Sequence, residues 1–351
     1  MSTDPGEGLG FFEIAGTPFD AGAALGRIGA PAVHADLVKT RAWASVMALR
    51  EDPRLAVMLE MTEARYPRHV AELRGLAAGT GLPFEEIFAW NCRGDLWAMA
   101  PDGCTTVQIP GTRRVIAHNE DGLPVLRSHC AIVRFDSEGG IPFTSFAYPA
   151  SLPGHTFAAT DRGLVATVNN IRSRQCEPGV PRMVLTRALL DCASLDDAVA
   201  HLRSTPRAGA FHVSLARIGD PRLLSVEFTS ATVSAREITA PAVHSNHLIH
   251  AGTAHEPQVV TESSGCRQER GDVLIGEQAC DPLAILRDTG GPGLPIRRDD
   301  PDDPDDENTL ATAVFELDDP VLAWRVYDRP SGPPRFHFRD RLAAEAGRQP
   351  S

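Results

Sequence analysis

Hydrophobic and polar positions change their period along this chain. After a short strand-like run, GFFEIAG at 10–16, the first hundred residues place their apolar positions at helical spacing. Val33, Leu37, Ala44 and Ala48 mark a long helical region broken around Asp52-Pro53. A second stripe, Val70, Leu73, Leu76 and Ala77, predicts a helix from about Tyr66 that stops at Gly79 and Gly81. A third begins at Pro83-Phe84, with Glu85 and Glu86 in its first turn, where the helix dipole favours acids. Gly22 and Gly26, four apart in PFDAGAALG, suit close backbone packing or a flexible loop equally well.

Beyond Cys104 the pattern becomes that of strands: 105–109, 115–117, 130–135, 143–150, 155–160 and 164–169 are short runs separated by Gly, Pro and Asp, as in antiparallel pairing. Val184, Leu185, Ala188 and Leu189 predict an interrupting helix, and Ser194 with Asp197 caps another. Strands return at 211–218, 223–229, 232–238 and 242–250, and a last hairpin pairs 311–317 with 321–327 across Asp318-Asp319-Pro320. Helices, strands, helices and strands in that order predict layered α+β packing, without the alternation that builds a parallel sheet. The run RRDDPDDPDDEN, 297–308, reads as a solvated acidic surface loop.

Charge and composition narrow the classes. With 351 residues, 42% hydrophobic content and a net charge of −12, the chain has ample core and no basic face for nucleic acid. No long uncharged apolar run predicts a membrane segment, and the acidic start MSTDPGEG is unlike a signal peptide, so a cytoplasmic location is expected. Seven cysteines (92, 104, 130, 176, 192, 266 and 280), scattered without CxxC spacing, fit reduced thiols. The acidic run lacks the spacing and glycine of a calcium loop. His244, His247 and His250 stand three apart, which alternates faces of a strand, so no metal is expected there and no cofactor elsewhere.

One stretch carries chemistry of its own. In DGCTT the Gly103-Cys104 bond directly precedes a β segment, and Asp121 lies 17 residues beyond the cysteine at the end of the next. A thiol that attacks the Gly103 carbonyl breaks its own upstream peptide, and glycine there removes an obstructing Cβ and permits strained angles. The product's α-amine, with an ordinary pKa of about 7.7–8.0, can then serve Cys104 as its base. Asp121 is placed to orient that amine, or simply to cap the turn at Gly122.

GTPFDAGAALG, YPRHVAELRGLAAGTGLPFEEIFAWNCRGDL, DGCTT, HNED, GLVATVNN, VPRMVLTRALLDCASLDDAV and HSNH, in this order over residues 10–330, resemble the penicillin acyltransferase-like branch of the N-terminal nucleophile hydrolases. That branch includes isopenicillin N acyltransferase and the β-alanyl-dopamine and carcinine hydrolases. The resemblance implies a four-layer αββα sandwich with antiparallel sheets, a single domain self-cleaved into a helical chain, 1–103, and a strand-rich chain, 104–351, that stay together. It implies Cys104 as nucleophile, Gly103 as the residue before the cut, Asp121 as holder of the amine, and Asn246 of HSNH as oxyanion donor. Arg298 is the better match to the family arginine, with Arg297 in a cysteine's place. His118, Asn119, Glu120 and Asn169 are candidate substrate contacts. The expected activity is hydrolysis of a small N-acyl or aminoacyl amide through a thioester, with acyl transfer from coenzyme A or an amide, and a binding protein on the same fold, as alternatives.

Overall fold

The computed structural model describes residues 8–99, 103–277 and 281–342. β1 (Gly10–Gly16) leads into α1 (Pro18–Ala35), α2 (Arg41–Met47), α3 (Pro53–Arg65), α4 (Pro67–Thr80), α5 (Phe84–Asn91) and α6 (Arg93–Leu96). Strands follow: β2 (Gly103–Ile109), β3 (Arg113–Gly122), β4 (Ala131–Ser137), β5 (Phe143–Ala147), β6 (Phe157–Thr160) and β7 (Leu164–Asn170). After α7 (Arg182–Leu189) and α8 (Leu195–Ser204) come β8 (Phe211–Arg217), β9 (Asp220–Phe228), β10 (Val233–Glu237) and β11 (Ala242–His244). α9 (Glu262–Glu277) and α10 (Pro282–Leu286) precede β12 (Asn308–Asp318), β13 (Val321–Tyr327) and β14 (Phe336–Arg341).

Two sheets result, one of eight strands in the order β1-β4-β5-β6-β7-β8-β9-β10 and one of six in the order β11-β2-β3-β12-β13-β14. Neighbours run antiparallel except β1, which pairs parallel with β4. The sheets stack face to face: Phe157 of β6 meets Phe315 of β12 with ring centroids 6.2 Å apart, and Gln108 Nε2 of β2 donates to Ser214 Oγ of β8 at 2.8 Å. α1 lies on β1 and β4, while α9 and α10 lie on β11, β2 and β3. The four layers of the expected αββα sandwich are therefore present.

The loop alternative for PFDAGAALG is resolved in favour of a helix by backbone contact. A Cβ added at Gly22 would stand 2.0 Å from Glu72 O of α4, and one at Gly75 would stand 2.0 Å from Phe19 O of α1. Glycines on both helices bring the backbones into touch. α4 then ends at Gly81, whose φ of 73° is the left-handed conformation glycine adopts without strain. Ser194 caps α8 as expected, its Oγ accepting from Asp197 N at 3.0 Å.

Two readings are corrected. The strand expected over 242–250 stops at His244, because Ser245 N turns to Gln268 Oε1 at 2.9 Å instead of continuing the ladder. The acidic run is solvated only in its middle. At its start Arg298 is fully buried, and its guanidinium binds Asp303, Asp305 (3.1 Å) and Glu307 (2.9 Å). Among the described residues no helix is long and apolar enough to cross a membrane.

Candidate active site

The site is built on one hairpin. β2 and β3 pair with Gly103 opposite Asp121, Cys104 opposite Glu120 and Thr106 opposite His118. Opposed residues share a face of a sheet and successive ones alternate. Cys104, Thr106, His118 and Glu120 therefore face the eight-stranded sheet, where Thr106 Oγ1 lies 2.7 Å from Asn169 Oδ1 of β7. Gly103, Thr105, Asn119 and Asp121 take the opposite face, towards α9 and α10.

Cys104 is buried, 2% exposed, with Sγ 3.9 Å from Glu120 Oε2. Its backbone N–H donates to Asn246 Oδ1 at 2.9 Å. Arg267 of α9 closes the arrangement. One guanidinium nitrogen donates to Cys104 O and to Thr105 Oγ1 (3.0 Å), the second to Asn246 Oδ1 (2.6 Å), and Nε to Ser263 Oγ (3.0 Å). Burial lowers the pKa of Arg267, but a guanidinium stays charged at any physiological pH.

Asn246 lies beside Cys104, with an orientation other than the one expected. Two donors, Cys104 N–H and Arg267, require an oxygen opposite them, so the amide nitrogen must point away. It donates to Asn170 O at 2.9 Å. Asn246 thus holds the nitrogen of the Gly103-Cys104 bond, and its amide donor is engaged by Asn170 O.

Asp121 sits against Gly103 on the face opposite the thiol. Its Oδ1 accepts from Thr309 Oγ1 at 2.6 Å, and Oδ2 is buried without a hydrogen-bond partner among the described residues. A Cβ on Gly103 would lie 3.4 Å from that Oδ2 and 2.6 Å from Glu307 Oε2. Gly103 is not among the residues with positive φ, so the strained angles expected of it are absent and its requirement is steric. Glu307 is pinned in turn by Arg172 at 3.0 Å and Arg298 at 2.9 Å; burial nevertheless raises its pKa against the pull of those arginines. Arg298 reaches this knot while Arg297 pairs with Asp299 at 2.6 Å, but Arg298 makes no described hydrogen bond to Cys104.

The remaining candidates divide. His118 and Glu120 stand beside the thiol: His118 Nε2 is 3.1 Å from Glu120 Oε2, and Tyr148 donates its hydroxyl to Glu120 Oε1 at 2.8 Å. Burial drives the His118 imidazole down to about 3. Asn119 is not brought to the thiol; it donates to Leu286 O at 2.8 Å and accepts from Thr312 at 2.6 Å on the helix side. Asn169 lies between the sheets, its Oδ1 accepting from Thr106 and, at 3.0 Å, from His212 Nδ1. Asp102, first residue of DGCTT, lies outside the described residues. The sequence reading missed Arg267, Glu307 and Thr309.

Among the described residues two groups bring possible metal donor atoms within 4.8 Å of one another: Cys104, His118 and Glu120, and Glu227, His244 and His250. The second joins His244 to His250, which the chain folds back after β11 ends at His244, and leaves out His247. Yet Glu227 is saturated by hydrogen, from His244 (2.8 Å), Ile249 N (2.7 Å), His250 N and Thr253. These donors hold the Glu227 pKa at about 2 against its burial. No residue of either group is assigned here as a metal ligand. Near the first group Trp90, Arg93, Leu123, Leu126, Tyr148, Pro149 and Ser151 line a narrow crevice of about 10 Å³.

Residues 108–331 match the family described as acyl-coenzyme A:6-aminopenicillanic acid acyl-transferase. Among curated proteins the chain is similar to the beta-alanyl-dopamine/carcinine hydrolase of Drosophila melanogaster, with 28% identity over 181 residues, 45% of this chain and 46% of the relative. It thus spans about half the length of that relative. Among solved structures it resembles a variant of conjugated bile acid hydrolase from Clostridium perfringens at a TM-score of 0.43 and 10% identity, over 68% of this chain and 92% of that one.

Proposed function

The chain belongs to the acyl-coenzyme A:6-aminopenicillanic acid acyl-transferase family, and from that premise we propose that it is a self-activating cysteine amidohydrolase of small amides. The observation that carries the reading is the Gly103-Cys104 bond itself. Its nitrogen is held by Asn246, the Cys104 carbonyl by Arg267, and the thiol lies against Glu120. The nitrogen of the bond to be cut and the carbonyl of the peptide after it are thus both held, which fixes Cys104 in place before reaction.

Cleavage at this bond yields chains 1–103 and 104–351, held together because β1 is built into the eight-stranded sheet beside β4 and α1 packs against both. The released Cys104 α-amine becomes the base, with Asp121 Oδ2 on the side that Gly103 vacates. Cys104 Sγ then attacks the substrate carbonyl, an amine leaves, and water hydrolyses the thioester. Arg298 and Glu307 keep Asp121 in place through Thr309 and the packing around Gly103. Nucleic acid and membrane have no part in this reading, and a cytoplasmic setting suits its reduced thiols.

Transfer of the acyl group to a second amine is the runner-up, favoured by the family's own description. Hydrolysis is preferred because Arg172, Arg267 and Arg298 near the site are committed to Glu307, Asn246 and Asp303, leaving them poorly placed for the phosphates of coenzyme A. A panel of N-acyl and N-aminoacyl amines, with and without an acyl-coenzyme A and an acceptor amine, tests the choice. Release of free acid at a rate unaffected by acceptor supports hydrolysis. New amide formed in proportion to acceptor contradicts it, and no turnover of any amide by fully cleaved protein overturns both.

A further inference from the structure

Self-cleavage needs a base that turnover does not. Before the cut, the nitrogen of Cys104 is an amide that donates to Asn246, so the α-amine invoked for catalysis does not yet exist. Some other group has to take the thiol proton in the first event of the protein's life.

The hydrogen bonds around β2 and β3 fix the protonation of one neighbouring pair. Asn169 donates its Nδ2 to His244 O at 3.1 Å, which settles its amide orientation, so Oδ1 faces Thr106 and His212. The hydrogen between Thr106 Oγ1 and Asn169 Oδ1 must belong to Thr106. Thr106 Oγ1 can then only accept from His118 Nδ1, 2.8 Å away. His118 therefore carries hydrogen on Nδ1 and turns Nε2 towards Glu120 Oε2 at 3.1 Å. Two bare acceptors at that distance repel, so one proton lies between them. Burial, which depresses the imidazole, opposes a free imidazolium and keeps that proton shared with Glu120.

We propose that the Glu120–His118 pair is the general base of self-cleavage: it holds one proton at rest and takes a second from the Cys104 thiol. This rests on the reading of Gly103-Cys104 as a self-cleaving bond. The thiol proton passes to Glu120 Oε2, 3.9 Å from Sγ, while the shared proton settles on His118 Nε2. The thiolate forms a bond to the Gly103 carbonyl carbon, whose π electrons move to oxygen. As the tetrahedral species collapses, the bond from that carbon to Cys104 nitrogen breaks, and the nitrogen takes one proton from the pair and becomes the α-amine. Water then hydrolyses the Gly103 thioester, giving a carboxylate and restoring the thiol. The titratable groups that face the pair among the described residues include Cys104 from β2, Tyr148 after β5, Cys130 before β4 and His212 from β8. None is an alternative acceptor of the same quality: Tyr148 already donates to Glu120 Oε1, burial raises the Cys130 thiol, and burial with neighbouring histidines depresses His212.

The test follows the full-length chain made by cell-free translation, with intact mass recorded against time. Wild type is expected to divide between Gly103 and Cys104. Glu120→Gln, which keeps shape and hydrogen bonding but not basicity, is expected to slow division at least about 100-fold, in the range typical of a lost general base. Glu120→Asp retains a carboxylate despite its shorter reach and is expected to divide at least about tenfold faster than Glu120→Gln, an order that loss of packing alone would not give. His118→Gln serves if Glu120→Gln does not fold, as judged by circular dichroism, and is expected to be slowed likewise. Wild type that divides while a folded Glu120→Gln keeps pace within about threefold, or Glu120→Asp no faster than Glu120→Gln, overturns the base and leaves the cleavage reading standing. Wild type that never divides overturns both.

Discussion

Replacing Gly103 with alanine separates what the site needs sterically from what the reaction needs chemically. The new Cβ would stand 2.6 Å from Glu307 Oε2 and 3.2 Å from Asp121 Cβ. A carboxylate at the end of a flexible side chain would ordinarily swing away, but this one is held through Oε1 by Arg172 and through Oε2 by Arg298. The easier escape gives up the Arg298 contact, and a hydrogen bond to a charged group is worth about 1.5–3 kcal/mol. For a chain of this length, each kcal/mol moves the melting temperature by about 1–2 °C, so a drop of about 2–5 °C is expected. The comparison belongs on a Cys104→Ala background, where both proteins stay uncleaved and differ only at position 103. With Cys104 restored, Gly103→Ala should also slow division of the chain, because the displaced bond no longer presents its nitrogen squarely to Asn246. An alanine variant that melts within 1 °C of its parent would refute the reasoning, since it would mean that Glu307 is not fixed.

Gly75→Ala is expected to cost about 3 kcal/mol or more, the upper end for overpacking, because its Cβ meets the backbone of Phe19, which has no rotamer to change; chemical denaturation followed by circular dichroism checks it. Glu227 carries a pKa held at about 2 against an ordinary 4.5, the His244 contact and backbone donors outweighing burial. A depressed carboxylate contributes stability that is present above its unfolded pKa and lost as pH falls through the folded one. Melting temperature should therefore fall between about pH 4.5 and 2, and Glu227→Gln should flatten that part of the curve while lowering stability at pH 7.

The sequence located the hairpin, the Gly-Cys bond and the helical stripes of α4, α7 and α8, because each is written in apolar period, turn residues or caps. It did not locate α9, and the reason is physical. The buried positions of that helix, Ser263, Ser264, Arg267, Gln268, Gly271 and Leu274, recur at helical spacing, but nearly all are polar or glycine because that face serves the site. Hydrophobic periodicity is silent on such a helix, and Arg267 was missed with it. β14 was missed because an edge strand with an exposed face, FHFRDR, offers little contrast. The place of Glu120 was legible in principle. Two-residue alternation and the register that sets Cys104 opposite Glu120 put this residue, and not Asp121, on the thiol's face.

On the proposed function this chain cuts itself between Gly103 and Cys104, and the new terminus is the nucleophile. Intact-mass measurement of the purified protein, with amino-terminal sequencing of its larger species, tests it most directly. Wild type should give two species, residues 1–103 and 104–351, the second beginning at Cys104, while Cys104→Ala should give one uncleaved chain with no amidase activity. Wild type that remains a single chain while fully active on an amide would contradict the account.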